Sequence, residues 1–207
     1  MNLGLQSWRR LWGELGAREI NGGLLNQLVA AHSERHRHYH TLQHLRECLA
    51  HFDAAAGLAL RPPEVEVALW FHDAVYDPQR TDNEERSADW AARSIAAAGC
   101  PGGVAERVAA LVRATQAHAA SGDADTQLLL DIDLAILGAS DERFAEYERQ
   151  VRAEYAHVPQ DQFAAGRARV LSGFLARPRI YQTRPFHDAL EQRARANLGR
   201  ALAALPA

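Results

Sequence analysis

Apolar side chains recur every three or four residues along almost the whole chain, and this spacing restricts the fold more than any other feature. It places the apolar residues on one face of an α-helix, whereas a half-buried strand alternates apolar and polar residues. No sustained alternation is present. We therefore predict an all-α fold of roughly nine or ten helices. The clearest stripes run from Trp8 to Leu15, Leu24 to Leu28, Leu42 to Phe52, Val104 to Val112, Phe144 to Tyr155 and Leu171 to Leu175.

Proline, glycine and capping residues mark several helix ends. Pro62 and Pro63 precede an apolar run that reaches Val75, and proline is favoured in the first turn of a helix. Further helices are predicted from Asp82 or Asn83 to Gly99, from Leu128 to Leu137 with an end at Gly138, and from about His187 to Leu202.

The amino-acid composition narrows the classes of function. Only Cys48 and Cys100 are present, so we expect a metal site built from His and carboxylates rather than a thiolate knuckle or a disulfide framework. The formal net charge of -3 argues against a nucleic-acid-binding surface, which is normally basic. No apolar run reaches the roughly 20 residues that span a bilayer, and no secretory signal is recognisable, so we expect a cytoplasmic protein.

Five of the ten His residues fall within one short polar segment that ends at His44. Thr41 is a candidate N-cap, which places His44 in the first turn of a helix whose apolar face borders the core. His40 comes just before that helix, so both imidazoles can face one cavity. For His36 and His38, a solvated polar loop is the alternative, since such side chains are mostly exposed.

The dipeptide His72-Asp73 closes a strongly apolar run. Burying an unpaired carboxylate there is costly, and a bound cation relieves the cost. The other His-Asp pair, His187-Asp188, starts a polar segment and lacks this context. Capping of the helix end with local pairing is the alternative explanation for His72 and Asp73.

Two carboxylates, Asp131 and Asp133, interrupt the apolar run that ends at Gly138. Residues two apart on a helix diverge by about 200°, so at most one of them faces a given ion. A buried salt bridge to an arginine is the alternative for either residue. The pattern of residues alone leaves both open as a ligand.

The order of these elements, first His44, then His72-Asp73 and then an Asp on a later helix, resembles the HD superfamily of metal-dependent phosphohydrolases. The resemblance implies that helices bring His44, His72, Asp73 and Asp133 to one ion at the centre of a bundle.

The stretch Tyr39-His40-Thr41-Leu42-Gln43-His44 is similar to the Tyr-His-x-x-x-His motif of cyclic-nucleotide phosphodiesterases. That similarity implies that His44 is a metal ligand and that His40 donates a proton to the leaving group. The stretch Ile132-Asp133-Leu134 resembles their Ala-Asp-Leu, which selects Asp133 over Asp131.

More narrowly, the chain resembles a bacterial subfamily of predicted HD-domain phosphohydrolases over almost its whole length. This implies a single HD-type helical domain over residues 1–207, with a metal-site core at roughly 36–138 and C-terminal helices 141–204 packed on it. The chain lacks the Gly-Tyr-Pro triplet of one HD group and the long catalytic domain of the phosphodiesterases, which argues against cyclic nucleotides as substrates. The matching segments are Arg37 to Leu45, Ala68 to Pro78, Asp82 to Ala88, Asp131 to Gly138, Glu154-Tyr155, Arg177 to Tyr181 and Ala194 to Leu198.

Two imidazoles and two carboxylates suit one divalent Mn, Fe, Co, Ni or Zn ion better than Mg or Ca. Such an ion acidifies a bound water, which we expect to attack a phosphate ester or anhydride. Asp73 is also a candidate acceptor for the proton of that water, and His40 a candidate donor to the leaving group. Glu84 is a candidate for orienting the water or holding a second ion, whereas an N-cap of Asp82 with Glu85 as its reciprocal partner is the structural alternative.

Three further side chains, Arg35, Arg37 and His118, are candidates for holding phosphoryl oxygens, the arginines through their two-pronged donor geometry. A solvated surface role is the alternative for each. We expect a small phosphorylated substrate, with nucleotides as one class, and no nucleic-acid or membrane partner; the sequence allows a homo-oligomer. Two other functions stay open: an HD-type iron oxygenase with extra ligands from Glu84 and His118, and a non-catalytic regulatory module that binds a nucleotide or a metal.

Overall fold

A computed structural model describes residues 4–206, and all regular structure within that range is helical. The prediction of an all-α fold is therefore confirmed. Two 3-10 helices, Ala56–Leu58 and Leu134–Gly138, accompany the α-helices. The described residues form ten α-helices: α1 (Leu5–Glu14), α2 (Gly22–Ala31), α3 (Leu42–Ala55), α4 (Pro62–Phe71), α5 (Asn83–Ala97), α6 (Val104–Ala114), α7 (Ala124–Asp133), α8 (Asp141–Glu154), α9 (Gln160–Leu175) and α10 (Arg184–Ala204).

The chain divides into two compact units between Ile132 and Asp133. The first unit holds α1 to α7 apart from Asp133, which is the last residue of α7. The second unit holds the 3-10 helix Leu134–Gly138 and helices α8 to α10. The single domain inferred from the sequence stays a prediction. Among residues 4–206, no helix combines the length and the apolar character that crossing a membrane requires.

Helix α4 is the centre of the first unit and contacts α1, α3, α5 and α6. Every residue from Glu64 to Phe71 is buried, as expected of a helix that is apolar on all sides. Its two carboxylates are paired with arginines from neighbouring helices, Glu66 with Arg10 and Glu64 with Arg107. The chain that follows α4 therefore starts from a firmly held, fully buried helix.

Helix α4 ends at Phe71 with His72 as its C-cap, whereas the apolar run in the sequence continues to Val75. Beyond the helix, the amide of Val75 donates to the Ser87 hydroxyl at 3.0 Å, and the carbonyl of Ala74 accepts from Arg37 at 3.1 Å. These hydrogen bonds to side chains take the place of helical backbone hydrogen bonds. The apolar residues after Phe71 therefore extend the sequence pattern past the end of the helix.

Helix α7 ends at Asp133, whereas the sequence predicted one α-helix up to Leu137. The chain continues as the 3-10 helix Leu134–Gly138, in which each hydrogen bond spans one residue fewer. Side chains of the second unit bind carbonyls of this segment: Tyr181 donates to Leu134 at 3.0 Å, and Asn197 donates to Leu137 at 2.8 Å. These tertiary bonds stabilise a helix type that local spacing does not specify.

Two smaller predictions about helix starts also need correction. Helix α10 begins at Arg184 rather than near His187, with Pro185 in its first turn. Asp82 is the N-cap residue of α5 but makes no capping hydrogen bond. Asp82 pairs with Arg80, and Glu85 pairs with Arg113, so the reciprocal cap of Asp82 and Glu85 is wrong.

Candidate metal centre

His44 is held in the first turn of α3 by the cap that the sequence predicted. The hydroxyl of Thr41 accepts a hydrogen bond from the Gln43 amide at 3.2 Å. His44 is 2% exposed, because this face of α3 packs on α4. His72 is the C-cap residue of α4, and packing of the two helices brings Nε2 of His44 to 3.1 Å from Nε2 of His72.

The carboxylate of Asp73 completes a triangle with the two imidazoles. Its Oδ2 atom lies 3.0 Å from Nε2 of His72 and 3.4 Å from Nε2 of His44. Two ligand atoms that are each about 2.1 Å from one ion lie about 3.0 Å apart at a right angle and about 3.4 Å apart at a tetrahedral angle. All three separations are therefore compatible with ligands that share one ion.

The orientation of His72 makes its Nε2 atom available to a cation. Nδ1 of His72 lies 2.8 Å from the Leu69 carbonyl oxygen, and since a carbonyl can only accept, Nδ1 carries the proton. In a neutral ring Nε2 then directs a lone pair into the cluster, an arrangement common among metal-binding histidines. Oδ2 of Asp73 is buried there and accepts no well-directed hydrogen bond. These electron-rich atoms repel one another unless a proton or a metal ion lies between them.

The electrostatics of the cluster keep Asp73 in the form that binds cations. Burial acts to raise the pKa of this carboxyl, but positive charge on the imidazoles of His72 and His40, and next the contact with His44, outweigh it when these rings are protonated, so the pKa is well below its usual range. Asp73 is therefore a carboxylate.

One further ligand atom lies close to the two histidines. His44, Cys48 and His72 each offer one ligand atom, and these atoms all lie within 4.8 Å of one another. This cluster can hold a metal ion. Asp133 is the last residue of α7 and belongs to the second unit, so its choice over Asp131 as a ligand stays a prediction. Sequence reasoning missed Cys48, although its position one helical turn after His44 was the signal that places both on one face of α3.

His40 lies beside this cluster, at its edge. The side chain is half-buried, and the ring centroids of His40 and His44 are 6.1 Å apart. The His40 ring stacks on Tyr76 with a centroid separation of 4.1 Å. Nε2 of His36 donates a hydrogen bond to the backbone carbonyl oxygen of Tyr76 at 2.8 Å, because a carbonyl can only accept. The position of His40 is compatible with proton transfer to a group bound at the cluster.

Arg37 is buried, with no exposed side-chain area. Its Nη1 atom donates to the carbonyls of Asp73 at 2.6 Å and His40 at 3.1 Å. Its Nη2 atom donates to the Ala74 carbonyl at 3.1 Å, and Nε donates to Glu34 at 3.0 Å. Arg37 thus joins the segment before α3 to the segment after α4. The predicted role in substrate binding stays a prediction, but these contacts favour a structural one.

Replacing Arg37 with alanine is expected to lower the free energy of unfolding by about 3 to 5 kcal/mol, because it leaves buried carbonyls without donors. Arg35→Ala is the matched control: Arg35 is exposed and, within residues 4–206, makes no hydrogen bond or ion pair, so its effect should be within about 0.5 kcal/mol. Urea denaturation of both variants measures the difference. A normal stability for Arg37→Ala, together with a raised KM, would instead support the substrate-binding role.

The remaining predicted residues lie in three places. Glu84 is half-buried in the first turn of α5 and, within residues 4–206, makes no hydrogen bond or ion pair. His118 follows α6, half-buried, with a positive φ of 45°. Their predicted roles, like that of Arg35, stay predictions. The pair His187-Asp188 interacts with itself at 3.3 Å near the start of α10, as the absence of an apolar context suggested.

His32 is a further buried histidine of the first unit. It is 1% exposed, and its Nε2 atom lies 3.4 Å from the Trp70 carbonyl oxygen. Burial, and next the nearby Arg37 guanidinium, lower the pKa of His32 to about 3, so the ring is neutral at physiological pH. No local pattern in the sequence distinguishes this buried histidine from its exposed neighbours.

Comparison of the chain with protein-family models, with curated proteins and with solved structures finds no match.

Proposed function

We propose that this protein is a metal-dependent hydrolase of the HD superfamily, which cleaves an ester or anhydride bond in a small phosphorylated compound. The observation that carries the proposal is the triangle of His44 Nε2, His72 Nε2 and Asp73 Oδ2, with separations of 3.0 to 3.4 Å. A buried carboxylate oxygen facing two imidazole nitrogens is a donor set that fits a divalent transition metal. The order of these residues and Asp133 along the chain supports the same family.

The proposed ligands are His44, His72, Asp73 and Asp133. When bound, a divalent ion supplies positive charge against the phosphoryl oxygens and lowers the pKa of a water molecule in its coordination sphere. The residues of the chain perform the remaining steps. Asp73 accepts the proton of the attacking water, and His40 donates a proton to the departing oxygen.

The test is a panel of nucleotides, sugar phosphates and other phosphomonoesters, assayed with metal-free protein reconstituted separately with Mn, Fe, Co, Ni and Zn ions. We expect release of phosphate or pyrophosphate from at least one class, dependent on the metal. Asp73→Asn is the matched control, since it removes the charge but keeps the shape of the side chain.

Two results would count against the proposal. Metal binding without turnover of any phosphorylated compound would favour a regulatory module. Oxygen consumption by the iron-loaded protein, without phosphate release, would favour an oxygenase.

A further inference from the structure

Cys48 is a buried residue of α3, next to His44. It is 1% exposed. Its Sγ atom lies 3.6 Å from Nε2 and 3.7 Å from Nδ1 of the His44 ring. Because Cys48 follows His44 by four residues on α3, the two side chains lie on the same face of the helix.

The distance from Sγ to Nε2 is that of two ligands on one ion. With a metal–nitrogen distance of about 2.1 Å and a metal–sulfur distance of about 2.3 Å, a tetrahedral angle separates nitrogen and sulfur by about 3.6 Å. Sγ is almost equally far from both ring nitrogens, so it lies beside the ring. Ligation on the Nε2 side therefore requires Cys48 to adopt another side-chain rotamer, a movement of Sγ of up to about 3 Å.

A small apolar role in the core is the ordinary alternative for a buried cysteine. Two independent observations separate Cys48 from that role. Its sulfur and the ligand atoms of His44 and His72 all lie within 4.8 Å of one another. In addition, Oδ2 of Asp73, which lies against the same two imidazoles, is buried without a well-directed hydrogen bond, and a cation among these groups would satisfy it.

We propose that Cys48 is a ligand of the metal centre, and that its thiolate restricts the centre to thiophilic ions such as zinc, cobalt and iron. The inference rests on the metal centre of the proposed function and narrows its choice of metal. Soft thiolate ligands favour these ions, whereas Mg and Mn prefer oxygen ligands. His44, Cys48, His72 and Asp73 all belong to the first unit, so its helices α3 and α4 position all four.

The test is an anaerobic titration of the metal-free full-length protein with Co²⁺, followed by ultraviolet and visible absorption. A thiolate bound to Co²⁺ gives a charge-transfer band in the near ultraviolet, which His and carboxylate ligands do not give. We expect this band in the wild-type protein and in Cys100→Ser, the matched control. Cys48→Ser and Cys48→Ala should bind Co²⁺ without the band.

A competition assay with a chelator measures the loss of affinity. Loss of an outer-shell partner typically weakens metal binding by roughly 10 to 100-fold, and loss of a ligand should cost at least as much. We therefore expect Zn²⁺ binding to be at least about tenfold weaker in both Cys48 variants. Circular dichroism verifies that the variants fold. If Cys48→Ser does not fold, Cys48→Ala provides the measurement.

Each result has a separate meaning. Binding of Co²⁺ by the wild-type protein without the near-ultraviolet band overturns ligation by Cys48 and leaves the proposed hydrolase intact. A band that disappears with Cys48 supports ligation, even if no phosphorylated compound is hydrolysed, which would overturn only the proposed function. Failure to bind any transition metal overturns both.

Discussion

Replacing His72 with asparagine is expected to abolish stoichiometric binding of a divalent transition metal. His72 supplies an Nε2 atom 3.1 Å from that of His44 and 3.0 Å from the carboxylate of Asp73. An asparagine side chain is shorter and cannot place a ligand atom at that point. Metal content measured after reconstitution and removal of free ions, in parallel with the wild-type protein, tests the expectation.

The same variant should lose the stabilisation that a bound metal provides. A ligand at 1,000 times its dissociation constant stabilises the folded state by about 4 kcal/mol. For a chain of this length, each kcal/mol raises Tm by about 2 to 4 °C, so the wild-type Tm should rise by roughly 8 to 16 °C on addition of metal. We expect no such rise for His72→Asn.

His187→Asn is the matched control, because His187 also precedes an Asp but interacts only near the surface of α10. This variant should keep the metal and the full rise in Tm. Full metal content in His72→Asn, or loss of metal in His187→Asn, would show that the ligand set is wrong.

Replacing His40 with alanine is expected to slow the hydrolysis of alkyl phosphates or nucleotides by roughly 100 to 10,000-fold, the usual loss for a general acid. The loss should be much smaller for p-nitrophenyl phosphate, because its leaving group departs without a proton. Metal content should not change, since His40 lies at the edge of the cluster and stacks on Tyr76. Turnover of both substrates by the metal-loaded variant measures this difference.

His38→Ala serves as the control for His40, since His38 is an exposed histidine of the same segment. It should leave both rates near the wild-type values. Equal losses on the two substrates would remove the proton-donor role from His40. Loss of metal with His40→Ala would make it a ligand or a structural residue instead.

Local sequence predicted those parts of the molecule that depend on neighbours along the chain. The apolar stripes predicted the helices, because side chains three and four residues apart share one face. The capping of α3 by Thr41 predicted that His44 lies in its first turn, and the apolar run before His72 predicted that His72 and Asp73 stand at a buried helix end. Each of these inferences depends on a few consecutive residues, and the structure has the same arrangement.

Other features depend on contacts between residues far apart in the sequence, and local patterns did not predict them. The apolar pattern did not predict the 3-10 segment after Asp133, because side chains of Tyr181 and Asn197 bind its carbonyls. Arg37 is an ordinary arginine in the sequence, and its burial follows from carbonyls supplied by the segment after α4.

For the metal cluster, too, some features follow from local sequence and others from the packing of separate helices. Capping and periodicity are local, so they were enough to predict that His44, His72 and Asp73 stand at the ends of apolar helices. Only the packing of α3 on α4 decided that their ligand atoms lie 3.0 to 3.4 Å apart and that Cys48 lies beside them. Distances of this kind are set by how side chains from separate helices interdigitate, and that information is distributed over the whole core.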